Sequence, residues 1–229
     1  SGQIDVKYMT AKEEDILTSS NLIEKGLVID RLLESVIADP KVKLDDMFIG
    51  DKNALMVGTR VLGYGKEYVV KMEDPDTTIE VEHAFDLTQL NHKKVDYKLF
   101  KKGENQFEYE LPNSKRKLEF KLLTHKDERN IDNELKALEK LSKITGIDHT
   151  LTTRLKYTIV SVDGETEKNK ISNFVDNEFL ALDTRQFRKY VESITPDIDF
   201  EVEYTSQVGE LHKVEVPMGV RFFWPDSTI

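Results

Sequence analysis

The order of hydrophobic periods predicts an α+β fold, with helices first, then short antiparallel strands, then helices, then a closing β-hairpin. Three observations carry this. Apolar residues recur near every 3.6 positions between residues 10 and 65, and alternate with polar ones from residue 66. The helical period returns after residue 125, and alternation resumes at residue 199.

The first element is TAKEEDIL. Thr10 followed three residues later by Glu13 is a capping box, and Glu14 and Asp15 suit the positive end of a helix. Ser19, Ser20 or Asn21 is placed to cap a longer helix, LIEKGLVIDRLLESVIA. There Leu22, Ile23, Val28, Ile29, Leu32, Leu33, Val36 and Ile37 keep the helical period, Gly26 weakens the first turns and Pro40 closes the segment. DKNALMVGTRVLGYG reads as the next helix, with Leu55, Met56, Thr59 and Leu62 as its apolar face and Gly63 or Gly65 as its end.

KEYVVKM and TTIEVEHAF then read as strands about the turn EDPDT, a hairpin over about residues 67–85. VDYKLFKKG, NQFEYELPN and RKLEFKLL follow as three more short strands. KDERNIDNELKALEKLSKI is helical, with Ile131, Leu135, Leu138 and Leu141 in one stripe and Gly146 as its stop. TLTTRLKYTIVSVDGE is ambiguous: its β-branched residues argue strand, while Leu151, Leu155, Ile159 and Val162 keep a helical register, which favours helix. KNKISNFVDNEFLALDTRQFRKYVESI supplies two more helices, the second capped by Asp183 or Thr184. A second hairpin, DFEVEYTSQVGELHKVEVP, covers about 199–217, and the aromatic tail VRFFWPDSTI ends the chain. No low-complexity linker divides the sequence. It reads as a single α+β domain over 1–229, subdivided into helical 1–65, mainly β 66–124, helical 125–197, and a hairpin with aromatic tail over 198–229.

Composition narrows the function. The 229 residues are 33% charged and 38% hydrophobic, with a net charge of −10. That balance argues against a general nucleic-acid binder, because phosphate neutralisation needs surplus Lys and Arg. The most basic stretch, NSKRKLEFK at 113–121, reads as a turn and an edge strand whose lysines discourage stray pairing. There is no cysteine, which excludes disulfides, thiolate metal sites and cysteine nucleophiles. No apolar run is long enough to span a membrane.

A search for chemistry returns little. GYGKEY holds Gly63, Gly65 and Lys66 but lacks phosphate-loop spacing and precedes a strand. His83, His92, His125, His149 and His212 are scattered, and alternation puts His83 and Glu82 on opposite strand faces. DPDTTIE offers Asp74, Asp76 and Glu80 without the glycine or ligand order of a calcium loop. Neither a Gly-x-Ser-x-Gly elbow nor a His-Glu-x-x-His helix occurs. The sequence therefore predicts a protein that is not an enzyme, with no catalytic residue, cofactor or metal. The alternatives are a hydrolase or transferase with a dispersed acidic site, and a nucleic-acid-binding module using residues 113–121. In RFFWP, Phe222, Phe223 and Trp224 concentrate apolar area as a core plug, a domain latch or an exposed anchor for a partner.

Five phrases in series, from about residue 8 to 225, carry a resemblance: YMTAKEEDILTSSNLIEKGLVIDRLLESVI, DDMFIGDKNALMVGTRVLGYGKEYVV, HAFDLTQL, LEFKLLTHKDE and RFFWP. Together they resemble the baseplate protein family of tailed bacteriophages typified by phage T4. The resemblance implies a part in building the baseplate, at its central hub, as a structural subunit or an assembly helper. It implies partners among other baseplate hub or tail proteins, while the net charge and the lack of a long apolar run predict no nucleic acid and no membrane. It also implies a place in the host cytoplasm during assembly or in the virion tail. Contact surfaces are expected at Lys12, Glu13, Glu14, Asp15, Ile16 and Leu17, and at Phe222, Phe223 and Trp224. The family resemblance further implies a Cys-x-x-Cys knuckle at each hairpin tip, one thiolate pair of a zinc site each. Here Asp74 and Thr77 stand at the first pair, and Thr205 and Val208 at the second, so no metal is carried over. The two hairpins are still expected to pack together, through strand pairing and the apolar faces of Val70, Val81, Val202 and Val214.

Overall fold

The computed structural model describes residues 3–218 and 222–224. Contacts divide the chain into two compact units. The first is built from residues before 45, residues 50–93 and those after 196; the second is residues 45–49 and 94–196.

The first unit opens with α1 (Ala11–Leu17), which carries the expected capping box: the Glu13 carboxylate accepts the Thr10 N–H at 2.9 Å and the Thr10 hydroxyl at 2.7 Å. The single long helix expected next is instead two, α2 (Ser20–Glu24) and α3 (Val28–Val36). Gly26 takes φ +66°, a left-handed conformation that stops the helical ladder before α3 restarts it. Ser19 precedes α2 but makes no capping bond. In α3, Val28, Leu32, Leu33 and Val36 are buried on the predicted face, and Ile37 turns extended to bridge Val6.

Helix α4 (Ile49–Tyr64) buries Leu55, Val57 and Thr59, while Leu62, expected on the apolar face, is 40% exposed. Arg60 turns inward instead. Its guanidinium donates to the carbonyls of Gly65 and Glu67 and lies over the rings of Tyr64 and Tyr68. It thus satisfies carbonyls where Gly65, at φ +83°, leads into the first strand. The strands β1 (Glu67–Glu73) and β2 (Glu80–Asp86) pair antiparallel from Glu67↔Asp86 to Glu73↔Glu80, with Tyr68, Val70 and Phe85 turned into the core. A two-residue strand, β3 (Asn91–His92), follows.

In the second unit VDYKLFKKG forms no strand. Residues 97–99 make one 3-10 turn because the Asp96 carboxylate accepts the Lys98 N–H and closes the backbone locally. The strands β4 (Phe107–Glu110) and β5 (Lys117–Phe120) form where expected. Helix α5 (His125–Thr145) starts at a Thr124–Asp127 capping box and stops at Gly146 in the left-handed conformation. Of its stripe, Ile131 is buried and Leu135 and Leu138 are half-buried; the Leu141 side chain lies outside the described residues.

The ambiguous segment splits rather than continuing as helix. Its first half is α6 (Thr150–Thr158) and its second is β6 (Ile159–Val162), which pairs with β5 through Phe120↔Ile159 and Leu118↔Val162. A vacant sheet edge outweighed the local register there. Helix α7 (Lys168–Asn173) runs into a π turn over 174–178, and α8 (Ala181–Ile194) follows. Asp183 is not the cap of α8. It is fully buried in the first turn, and its carboxylate accepts the Asn113 and Ser114 N–H groups at 2.9 Å and the Asn113 amide at 2.7 Å. Burial pushes this acid up, but the bonds from Asn113 and Ser114 outweigh it and hold the pKa at about 2. The core gathers on Phe120 and Phe187, whose rings stand edge to face at 5.2 Å.

The chain then returns to the first unit. Strand β7 (Ile198–Asp199) pairs with β3, and β8 (Glu201–Thr205) with β9 (Leu211–Glu215) makes the second hairpin. Phe222 and Phe223 are each 2% exposed, and Phe222 meets Tyr68 ring to ring at 5.1 Å. Arg221 and Pro225 of the aromatic motif lie outside the described residues. Helices with small antiparallel sheets make the α+β class that the sequence predicts.

Replacing Phe187 with alanine opens a cavity beside Phe120 and is expected to cost the second unit about 3–5 kcal/mol. Urea unfolding measures it, and a loss under about 1 kcal/mol would contradict this account of the core.

Candidate functional site

The two hairpins meet at their tips, and one carboxylate joins them. Asp74 is fully buried where the β1–β2 turn begins. Its Oδ1 accepts the N–H of Asp76 at 3.1 Å, and the N–H and hydroxyl of Thr77 at 3.0 Å each, which shapes its own turn. Its Oδ2 accepts the Tyr204 hydroxyl at 2.8 Å and the Gln207 N–H at 2.9 Å, both from the other hairpin. The joint is widened by Asp76, whose Oδ2 lies 2.8 Å from His212 Nε2. The His83 ring completes it, edge-on to Phe85 at 4.7 Å and to Tyr204 at 5.0 Å.

The local sequence explains the geometry. Pro75 fixes the backbone after Asp74, and Thr78 closes the turn at φ 56°, an uncommon conformation for a β-branched residue. Alternation along β8 turns Val202 and Tyr204 inward, and a buried tyrosine hydroxyl needs a partner. Electrostatics follow. Burial favours the neutral Asp74 acid, but the bonds from Gln207, Thr77 and Tyr204 outweigh it and hold the carboxyl far below the usual range. Tyr204, whose hydroxyl proton points at that carboxylate, is pushed up. Asp76 is held down by hydrogen bonds from Ser206 and His212.

The expected packing of the hairpins is therefore present, and so is part of its expected cause: Val202 and Val214 pack against the core cluster that holds Val70, but strand pairing does not join the hairpins. No backbone ladder links them, since β1–β2 and β8–β9 are separate two-stranded sheets. Val70 is buried, Val81, Val202 and Val214 are half-buried, and the polar network supplies the direct bonds between the tips. The four positions aligned with thiolates do not fit zinc. Val208 offers no donor atom and is 61% exposed, and both Asp74 oxygens are taken up by hydrogen bonds. Among the described residues, no group of three or more His, Asp or Glu is placed to hold a metal ion. No described helix is long and apolar enough to cross a membrane.

The two segments expected as contact surfaces come together. Trp224 Nε1 donates to the Leu17 carbonyl at 2.9 Å, so the aromatic tail caps the end of α1. Leu17, Phe222 and Phe223 are core residues, Ile16 and Trp224 are half-buried, and Glu13 is buried in its capping box. The Thr10 hydroxyl, above all, holds Glu13 below its ordinary pKa. Lys12, Glu14 and Asp15 face solvent, with Glu14 accepting the Tyr64 hydroxyl. In the basic stretch 113–121, Arg116 is engaged by Asp163 and Glu178, and Asn113 and Ser114 by Asp183.

A family model described as T4 bacteriophage base plate protein matches residues 1–224. No curated protein and no solved structure matches.

Asp74→Asn removes the charge but little of the shape, and is expected to lower the thermal midpoint by several degrees at pH 7. Because Asp74 titrates lower in the folded chain than its ordinary 3.8, its contribution is complete above that value and fades as the pH drops below it. The gap between wild type and D74N should thus hold steady above about pH 5 and narrow on acidification, as melting curves across pH will report. A gap that widens in acid would contradict the clamp. Thr78→Gly relieves the left-handed strain and should stabilise by about 0.5–1 kcal/mol, measured by urea unfolding.

Proposed function

The chain belongs to the T4 bacteriophage base plate protein family, and from that premise we propose that it serves the central hub of the baseplate. It acts there as a structural subunit or as a helper in hub assembly, by protein–protein recognition and not by bond making. The observation that carries this reading is a family match running through both units, from residue 1 to 224. Its partners are other hub or tail proteins, met in the host cytoplasm during assembly and, for a permanent subunit, retained in the virion tail. One contact surface is the exposed side of α1, with Lys12, Glu14 and Asp15, together with Trp224 at the end of that helix. Leu17, Phe222 and Phe223 set that surface by anchoring it to the core beneath.

A tagged copy expressed during infection should co-purify with hub proteins, identified by mass spectrometry. Finished particles decide between the two roles: a subunit is present in them at fixed stoichiometry, a helper is absent. Recovery without any tail protein would overturn the reading.

A further inference from the structure

The charge of this chain is concentrated in one place. Residues 66–86 and 197–215, the two hairpins and their approaches, hold thirteen acidic and three basic side chains. That difference is the whole net charge of −10, so the rest of the chain balances to zero.

The outward faces of these sheets also carry exposed apolar side chains. Among the described residues of the first unit, every large aliphatic side chain more than half exposed lies on a hairpin: Val69 at 51%, Ile79 at 57%, Val208 at 61% and Leu211 at 63%. Three of them border the joint. The Ile79 carbonyl accepts the Asp74 N–H, Val208 follows the clamped Gln207, and Leu211 pairs with Thr205 at the end of the ladder. The sheets bear like charges face to face as well. Glu73 stands opposite Glu80, and Glu201 opposite Glu215; one member of each pair meets an exposed lysine at 3.6 Å, Glu80 with Lys71 and Glu201 with Lys213, which offsets only part of the like-charge repulsion.

We propose that the outward faces of the joined hairpins form a docking surface for a basic protein partner with an apolar centre. Exposed aliphatic groups rimmed by charge are the anatomy of a protein interface, and the sign of the rim selects the occupant. A second copy of this chain, nucleic acid and an anionic lipid surface would each bring the wrong charge. An occupant rich in Lys and Arg neutralises the opposed glutamates, and the Asp74 clamp holds both faces ready before it arrives. The inference rests on the protein-recognition reading above and names the chemistry of the partner.

The test uses the full chain and the tail protein it captures from infected cells, first identified by mass spectrometry and then purified. Two double variants are compared with wild type, Ile79→Ser with Leu211→Ser, and Glu73→Gln with Glu80→Gln. Each is expected to weaken binding roughly tenfold or more. Wild-type binding should also fall steeply towards about 0.5 M salt. The glutamine pair should melt no lower than wild type, since it removes repulsion and gives up only the exposed Glu80–Lys71 ion pair, which separates a docking role from a structural one. Binding unchanged by both variants, indifferent to salt, or made to an acidic protein or to a second copy overturns the docking surface while leaving the hub reading intact. If wild type captures no tail protein, the hub reading itself has failed.

Discussion

The first unit depends on one buried anion. Taking a carboxylate out of water is costly unless its lone pairs are filled, and Asp74 receives five donors, three from its own turn and two from a segment some 130 residues away. The division between its oxygens matters most. One oxygen shapes the β1–β2 tip and the other receives Tyr204 and Gln207, so forming the tip and joining the hairpins become a single event. The second unit repeats the device with Asp183, which pins the β4–β5 turn to the start of α8. In both, a fixed acid takes the place of the large apolar contact that a short turn cannot offer.

The parts of the fold written in local chemistry were legible in the sequence. The Thr10–Glu13 box and both hairpins depend on neighbours a few residues apart, and they stand where the periodicity places them. The parts decided by distant partners were not. Ile159 to Val162 keep a helical spacing with the residues before them, yet β5 had an open edge and took them as a strand. Leu62 lost its expected place to Arg60, a charged residue that no hydropathy pattern would send inward, because two carbonyls and two tyrosine rings receive it there.

The joint was half visible. The residues around Asp74 have the composition of a turn, and the inward register of Tyr204 follows from alternation in EVEYT. What the sequence withheld was that these two face each other. A buried tyrosine and an aspartate opening a proline turn each lack something, and nothing local says that each supplies the other. The aromatic tail shows the same limit: RFFWP is plainly apolar, but only the fold shows Trp224 closing α1 while Phe222 and Phe223 fill the core.

The division of the chain into units bears on the order in which they are completed. The second unit is nearly continuous, residues 94–196 with the short strip 45–49 already synthesised before them. The first needs strands β7, β8 and β9, which leave the ribosome after the whole of the inserted unit. During translation the inserted unit has all its residues while the outer one still lacks Tyr204 and the Phe222–Phe223 pair. Closing the outer unit early would also carry the entropy of a loop of about a hundred residues, a cost that falls once the inserted segment is compact. The hairpin joint therefore forms after the inserted unit has been synthesised, and the surface around it comes into being only once the second hairpin has followed.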